Sequence, residues 1–337
     1  MESQKFKFST QTVSYYFDAS FANLKKVVPQ NKSVVITDEN VYKKHEKHFK
    51  GWETIVLKPG EEFKIQPTVD SVIDQLIRLK ADRQTTLIGV GGGVVTDLTG
   101  YIASVYMRGI PFGFVPTTLL AMVDAAIGGK NGIDVGQYKN MVGTINQPQF
   151  LLYDVGLLKT LPKKEWSNGF AEIIKHAAIK DAAMFKELEE RDLKYFQKNR
   201  ESLQKLIQQN ALIKTEVVTG DEFEKGERRL LNFGHTLGHA LEKQYNLMHG
   251  EAVAIGMTYA ASISAHFTGF KQLAKLVLLI EKYGLPTTVG YDKKKTFEIL
   301  IADKKKDAGD INYIMLEKIG KAVSKKISFE QLYKLLP

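Results

Sequence analysis

The stretch Leu87-Ile88-Gly89-Val90-Gly91-Gly92-Gly93-Val94-Val95-Thr96-Asp97 decides the fold. Its first part is a short continuous apolar run, the pattern of a strand buried on both faces, and Thr85 to Val90 is read as that strand. Three glycines then turn the chain into a helix. Bare backbone at such a turn can approach a pyrophosphate, and the helix N-terminus adds unpaired N–H groups and a favourable dipole. No Gly-Lys-Ser/Thr follows, so this is not a Walker A loop. Val94 stands where the last glycine of GxGxxG would fall. The residues alone leave two readings open, a dinucleotide-binding turn and a tight strand–helix connection without a ligand.

The flanking sequence supplies the rest of a parallel sheet. Ser33 to Thr37 is a buried-type strand ending on Asp38, and Trp52 to Leu57 is another, closed by Pro59-Gly60. Between that strand and the glycine turn, Val69 to Lys80 places Val69, Val72, Ile73, Leu76 and Ile77 on one helical face. Strand, helix and strand joined by short turns imply parallel strands covered by helices. Lys5 to Phe8 alternates with a period of two and is read as an edge strand. Asp38 and Asn40 follow a strand at the place where ribose or adenine contacts occur in such folds. Beyond about residue 155 the texture becomes helical, with 3.6-residue periods over 163–180, 183–194, 203–218, 236–243, 251–267 and 272–282, and a small hairpin around Ile311–Leu316. The expected architecture is an N-terminal α/β, Rossmann-like parallel-sheet domain over 1–160. A mainly α-helical domain over 161–337 follows it, with the active site in the cleft between them.

Composition narrows the chemistry. The 337 residues contain no cysteine, which excludes disulfides and thiolate metal sites and leaves His, Asp and Glu to hold any ion. Neither a signal-peptide pattern nor an apolar run of the ~18–20 residues needed to span a bilayer is present, so a cytoplasmic enzyme is expected. The formal net charge of +9 calls for an anionic partner. The lysines are scattered in short groups such as Lys293-Lys294-Lys295, without a basic arm or interleaved aromatics. Composition alone does not decide among nucleic acid, membrane and small phosphates; with no signature for either of the first two, neither a nucleic-acid nor a membrane partner is expected.

Two further regions carry chemistry. Residues 108–148 set Arg108, Thr117, Thr118, Asp124, Lys130, Lys139 and Asn140 among glycines, including Gly128-Gly129. Cations and amides gathered by loops make an oxyanion or phosphate pocket. The second region is rich in histidine. His235 and His239 are four apart and share a helical face, His249 follows ten residues later, and Glu172 and Lys175 are three apart on another helix. Two histidines and a carboxylate suit Zn²⁺ or a similar ion in an open catalytic arrangement. Spacing nominates His235 with His239 as the ligand pair and leaves open whether one of them does acid–base work instead.

Taken together, GGGVVTDLTGYIAS, YMRG, VPTTLLAMVDAAIGGKNGID, KNMVG, NGFAEIIK, LNFGHTLGHALE, HGEAVAIGM and DKK resemble the 3-dehydroquinate synthases. These form part of the sugar-phosphate cyclase branch of the dehydroquinate synthase/glycerol dehydrogenase superfamily. The matches run in order from about Asp38 to Ala322. The resemblance implies a homodimer holding NAD⁺ and one Zn²⁺ (or Co²⁺) per subunit. The implied substrate is a phosphorylated, carboxylated sugar acid, 3-deoxy-D-arabino-heptulosonate 7-phosphate, converted to 3-dehydroquinate and phosphate. Transient oxidation, phosphate elimination, re-reduction and aldol closure are the implied steps, within the shikimate pathway.

The resemblance also assigns residues. It moves the metal ligands to Glu172, His235 and His249 and leaves His239 to the substrate. Asp38, Asn40, Glu61, Lys64, Gly92, Gly93, Asp97, Thr117, Thr118, Asp124, Lys139 and Thr160 match dinucleotide positions. Lys130, Asn140, Asn232 and Lys304 (or its neighbour Lys305) match phosphate contacts, and Arg108 matches a residue reached across the dimer. Lys214 and Arg228 match groups that hold the substrate carboxylate, and Lys175 and Glu224 match further active-site positions. Thr96, Asn131 and Asp134 depart from the family pattern. Related cyclases such as 2-deoxy-scyllo-inosose synthase, a glycerol-dehydrogenase-type alcohol dehydrogenase and a non-catalytic NAD-binding module are the competing readings. Arg228 and the phosphate-matching lysines weigh against them.

Overall fold

A computed structural model describes residues 1–136, 138–302 and 309–336. The chain forms two compact units, Met1–Glu165 with Asn199–Phe223, and Trp166–Lys198 with Glu224–Pro337. The first cut falls five residues beyond the boundary expected at 160. The contiguous division did not foresee the return of residues 199–223 to the first unit. Periodicity marks that segment as a helix but says nothing of which unit buries it.

The first unit is built on a seven-stranded sheet of order β1-β2-β9-β6-β5-β3-β4. The strands are β1 (Glu2–Lys7), β2 (Thr12–Phe17), β3 (Ser33–Asp38), β4 (Glu53–Leu57), β5 (Thr86–Gly91), β6 (Phe112–Pro116) and β9 (Phe150–Leu152). Every neighbouring pair is parallel except β1 with β2, so Lys5 to Lys7 lies in the expected edge strand, while Phe8 falls just past its end. Central β5 is buried at all six positions, as its uninterrupted apolar run requires. A short turn α1 (Leu24–Val27) precedes β3; then come α2 (Glu39–Phe49), α3 (Gln66–Arg78) and α4 (Gly93–Val105). Helix α3 buries Val69, Val72 and Leu76, whereas Ile77, expected on the same face, is 59% exposed. Ile77 sits at the margin of the apolar stripe, one position past Leu76.

From β3 the chain steps outward to β4 and then crosses back to β5 on the other side. The order therefore reverses between β3 and β5, and Asp38 and Gly91 end those two strands. In open parallel sheets the carboxyl ends at such a reversal form a crevice that takes ligands.

Residues 108–148, expected as loops, are largely ordered backbone. Ala121–Ala125 makes one wide helical turn, and β7 (Lys130–Val135) pairs antiparallel with β8 (Tyr138–Ile145). Asn131 ties the base of this hairpin, donating from Nδ2 to the carbonyls of Gly129 and Asn146 at 2.9 Å each. That gives one departure from the family pattern a structural role. Helix α8 (Arg200–Gly220) joins this unit through Thr215 Oγ1, which donates to the Tyr15 hydroxyl at 2.9 Å.

The second unit is mainly helical: α5 (Lys163–Lys180, most of it here), α6 (Ala182–Glu190), α7 (Leu193–Lys198), α9 (His235–Tyr245), α10 (His249–Phe267), α11 (Leu273–Lys282), α12 (Lys293–Ala302) and α13 (Phe329–Leu335). The hairpin expected near Ile311 is β10 (Asp310–Lys318) with β11 (Lys321–Ser328). Helix α10 is apolar nearly all round and buries Ala252 to Met257 without a break, the pattern of a core helix. No helix among the described residues is long and apolar enough to cross a membrane. Helices α9 and α10 meet through glycines: a Cβ on Gly256 would fall onto the Gly234 carbonyl oxygen, and one on Gly238 would sit 2.9 Å from the Ala252 carbonyl oxygen.

Candidate active site

In the second unit, three elements converge on one carboxylate. Glu172, fully buried on α5, places Oε1 at 3.5 Å from Nε2 of His235 and 3.3 Å from Nε2 of His249. His235 opens α9 behind Gly234, whose positive φ of 80° lets the chain turn into the helix. His249 opens α10, whose N-terminus is anchored by Asn168: its Oδ1 accepts the Gly250 amide at 2.5 Å. Asn168 lies one helical turn before Glu172 on α5, so a single helix locks the backbone beside His249 and presents the carboxylate to its ring.

Electrostatics distinguish the two imidazoles. Burial, then the nearby Lys175 ammonium, hold His235 well below the usual histidine range, so it is neutral with a free lone pair. Burial also opposes charge on His249, but hydrogen bonds to Glu172 and Glu242 outweigh it and push the ring up to about 10. Lys175 is itself buried and ion-paired with Glu172.

The donor set fits a divalent ion. One ligand atom from each of Glu172, His235 and His249 lies within 4.8 Å of the others. Around a tetrahedral ion with arms of ~2.0–2.1 Å, ligands stand roughly 3.3–3.4 Å apart, which the measured carboxylate–imidazole separations match closely. His239 and Glu242 also group with His249 in this way, but His239 is solvent-exposed on α9. Its ring centroid lies 5.1 Å from that of His235 and 6.2 Å from that of His249.

The turn Glu227–Asn232 before α9 carries Arg228, 3% exposed, and Asn232, whose Nδ2 donates to Glu224 Oε1 at 2.6 Å. Asn232 and Glu224 thus meet on the segment that leads into His235, which also carries the buried Arg228. Lys304 and its neighbour Lys305 lie outside the described residues.

In the first unit, the matched dinucleotide positions gather around the sheet reversal. Gly92 caps α4 without a side-chain hydrogen bond and Gly93 begins it. A Cβ on Gly92 would press on Thr118 at 3.0 Å. Thr117 follows β6, its amide bonded to the Gly91 carbonyl at 2.9 Å. Its hydroxyl is buried without a hydrogen-bond partner among the described residues. A buried, unsatisfied hydroxyl beside an open helix N-terminus suits a polar, anionic ligand such as a dinucleotide. Asp38 caps α2, accepting from Val41 N at 3.0 Å, with Asn40 in the same first turn. Burial raises the Asp38 carboxyl, and the Val41 amide draws it part of the way back.

Lys64 links several of these groups. It is 3% exposed and bonds Asp97 Oδ2 at 2.5 Å and Asn140 Oδ1 at 2.6 Å. Burial works against its ammonium, but the charges of Asp97 and Glu61 outweigh it, so it stays charged. Burial likewise raises Asp97, which Lys64 counteracts. Asn140 sits at a positive φ of 54°, held there by Asp134, whose Oδ1 accepts the Asn140 amide at 2.8 Å. Lys214 bonds Asp124 at both Oδ1 (2.8 Å) and the carbonyl (2.7 Å), bringing together residues matched to different ligands.

Thr160 bonds α2, the helix that Asp38 caps, through His45 Nε2 at 2.8 Å and the Lys44 ammonium at 3.0 Å. Arg108 is exposed in the turn after α4, and Lys130 is exposed at the start of β7. Sequence reasoning passed over Asn168 and Glu242. Both had a periodic signal, since Asn168 is four residues from Glu172 and Glu242 is seven from His235.

Comparisons with known proteins bear on this arrangement. A family model described as 3-dehydroquinate synthase N-terminal matches residues 54–168, and one described as 3-dehydroquinate synthase C-terminal matches 169–306. A 3-dehydroquinate synthase of Dehalococcoides mccartyi (strain CBDB1) is 41% identical over 313 residues, covering 89% of this chain and 87% of its own. One from Pelobacter propionicus is 41% identical over 289 residues, covering 84% and 80%. Among solved structures, a 2-epi-5-epi-valiolone synthase of Streptomyces hygroscopicus with NAD⁺ and Zn²⁺ bound has a TM-score of 0.87 at 25% identity, covering 98% and 96%. A 2-deoxy-scyllo-inosose synthase complexed with carbaglucose-6-phosphate, NAD⁺ and Co²⁺ also scores 0.87, at 24% identity, covering 99% of both chains; that likeness concerns the fold.

Proposed function

The chain belongs to the 3-dehydroquinate synthase family and is an enzyme of that type; from this premise we propose how its residues divide the work. The reaction is conversion of 3-deoxy-D-arabino-heptulosonate 7-phosphate to 3-dehydroquinate and phosphate, through transient oxidation, elimination, re-reduction and aldol closure. The observation that supports the assignment is the meeting of Glu172 with His235 and His249, a group able to hold a divalent ion, in a chain of this family.

When bound, NAD⁺ takes up and returns a hydride, and Zn²⁺ or Co²⁺ lends the Lewis acidity that makes a substrate hydroxyl easier to deprotonate. Glu172, His235 and His249 would hold the ion. Gly92, Gly93 and the open N-terminus of α4 would receive the cofactor's pyrophosphate, with Asp38 and Asn40 at its ribose and Thr117 and Thr118 beside it. Glu61, Lys64, Asp97, Asp124, Lys139 and Thr160 complete the proposed dinucleotide set. Arg228 presents a planar two-pronged donor to the substrate carboxylate, and Lys214 adds a second cation. Lys130, Asn140, Asn232 and Lys304 would take the phosphate, with Arg108 supplied across a dimer. His239, exposed beside His235 and His249, would exchange protons with a substrate hydroxyl, with Lys175 and Glu224 as further active-site groups.

A homodimer is part of the proposal. The β7–β8 hairpin exposes Val135, Tyr138, Met141, Val142 and Ile145, and Met141 and Ile145 share one face of β8, which a second copy would cover. Sedimentation should give a dimer that Met141→Asp weakens; a monomeric wild-type protein counts against it. The proposed setting is cytoplasmic.

The activity is tested by incubating purified protein with the heptulosonate phosphate and following phosphate and NADH together. Phosphate release with catalytic NAD⁺, no NADH build-up and loss of turnover on chelation are expected. Steady NADH accumulation, or turnover only of sugar phosphates lacking a carboxylate, would overturn the reading.

A further inference from the structure

We propose that Glu242 is a positioning residue for the metal centre, accepting the Nδ1 proton of His249 and so fixing the tautomer that aims Nε2 at the ion. The inference rests on reading Glu172, His235 and His249 as the metal ligands. His249 is gripped on both edges of its ring. Nε2 lies 3.3 Å from Glu172 Oε1, and Nδ1 lies 3.3 Å from Glu242 Oε2. The lone pairs of the two ring nitrogens diverge, so an ion held at Nε2 is out of reach of a carboxylate bonded at Nδ1. Glu242 therefore belongs behind the ring and not among the ligands.

A neutral imidazole carries its proton on one nitrogen only. With a carboxylate accepting at Nδ1, that proton stays there and the Nε2 lone pair is free for the ion. The mount is rigid as well as correctly charged. Glu242 lies on α9, the helix that carries His235, so the residue holding His249 from behind shares a scaffold with another ligand. Its side chain is 9% exposed against 28% for His249, so the carboxylate end of the hydrogen bond is the end largely withheld from water. The competing arrangement, an ion between His239, Glu242 and His249, would use Nδ1 as the ligand. It would exchange the fully buried Glu172 for an exposed histidine.

The test titrates full-length, metal-free protein with Zn²⁺ against a chromophoric chelator and records the absorption spectrum of the Co²⁺ form. Wild type, Glu172→Ala, Glu242→Ala and Glu242→Gln are compared. Glu242→Ala should bind one Zn²⁺ about 10–100-fold more weakly while its Co²⁺ bands keep their positions and intensity, because the ligand set is intact. Glu242→Gln retains an acceptor oxygen without the charge and should recover most of that loss, with a remaining deficit of roughly threefold to tenfold. In Zn²⁺-loaded wild type, the nitrogen-15 imidazole spectrum should show His249 protonated at Nδ1.

Wild-type affinity in Glu242→Ala overturns the proposal, as does a changed Co²⁺ spectrum, which would make Glu242 a ligand. If Glu242→Ala does not fold, wild-type affinity in Glu242→Gln overturns it equally. Failure of the underlying metal reading looks different: Glu172→Ala would then bind Zn²⁺ as wild type does.

Discussion

Adding one methyl group at Gly256 should have effects of opposite sign according to whether the α9–α10 crossing or helix propensity dominates. In a helix interior, Gly→Ala stabilises by about 1 kcal/mol through backbone entropy. At Gly256 the new Cβ lands on the Gly234 carbonyl oxygen and 3.0 Å from the Gly238 amide nitrogen. Both obstacles are backbone, so no rotamer change relieves the overlap and the helices must separate. Overpacking costs ~1–3 kcal/mol, and a backbone clash belongs at the upper end. The net expectation is a loss of about 2 kcal/mol, or a fall of roughly 4–8 °C in the melting midpoint of a unit this size. His235 and His249 open the two helices that must move apart. Metal sites tolerate only ~0.2 Å of ligand displacement, so Zn²⁺ affinity should fall at least tenfold. Gly220, at the end of α8 with no atom within 4 Å of its Cβ, is the control, and Gly220→Ala should leave stability equal or slightly higher. Thermal melts of metal-free protein and Zn²⁺ competition titrations read both effects. A Gly256→Ala protein that melts at or above wild type and binds Zn²⁺ normally refutes the close-crossing argument.

Lys64→Met should destabilise the protein by about 3 kcal/mol in urea unfolding, since it leaves Asp97 buried without its ammonium. Adding Asp97→Asn should restore part of the loss, and additive effects would argue against the pairing. Zn²⁺ at a hundred times its dissociation constant should stabilise metal-free protein by ~2.7 kcal/mol, seen as a higher melting temperature. Glu172→Ala should abolish that response, and an unchanged response would remove Glu172 from the donor set. Asp134→Ala frees the Asn140 amide from its acceptor at 2.8 Å. A lost hydrogen bond of about 1 kcal/mol should raise the KM for the sugar phosphate roughly fivefold, with Asp134→Asn close to wild type.

The sheet was legible because its strands carry their own signal. An uninterrupted apolar run from Leu87 to Val90, ended by glycines, has few alternatives to a buried parallel strand. The β7–β8 hairpin was not legible, because β8 is exposed along most of its length and has neither alternation nor a core face to produce one. Placement of α8 was hidden for another reason. Its period announces a helix, but only the partners of Thr215 and Lys214 reveal that it is buried with the first unit. Local pattern identifies elements, and the choice of neighbour is a tertiary fact.

The histidine cluster separates these two kinds of information within one site. A 3.6-residue period identifies residues sharing a helical face, which is why His235 and His239 looked like the natural pair. It carries no information about what a second helix brings to that face. His249 begins α10, and what sets its ring beside Glu172 is a crossing close enough to need glycine at 234, 238 and 256, with Asn168 anchoring the Gly250 amide. The glycines were visible in the sequence, but each is readable as a turn or a flexible point until the opposing backbone is known. The ligand set preferred by the family resemblance and the one preferred by spacing differ by a single histidine. That difference reflects helix packing rather than helix pattern, and the Gly256→Ala and Glu242→Ala variants probe it from the backbone and the side-chain directions respectively.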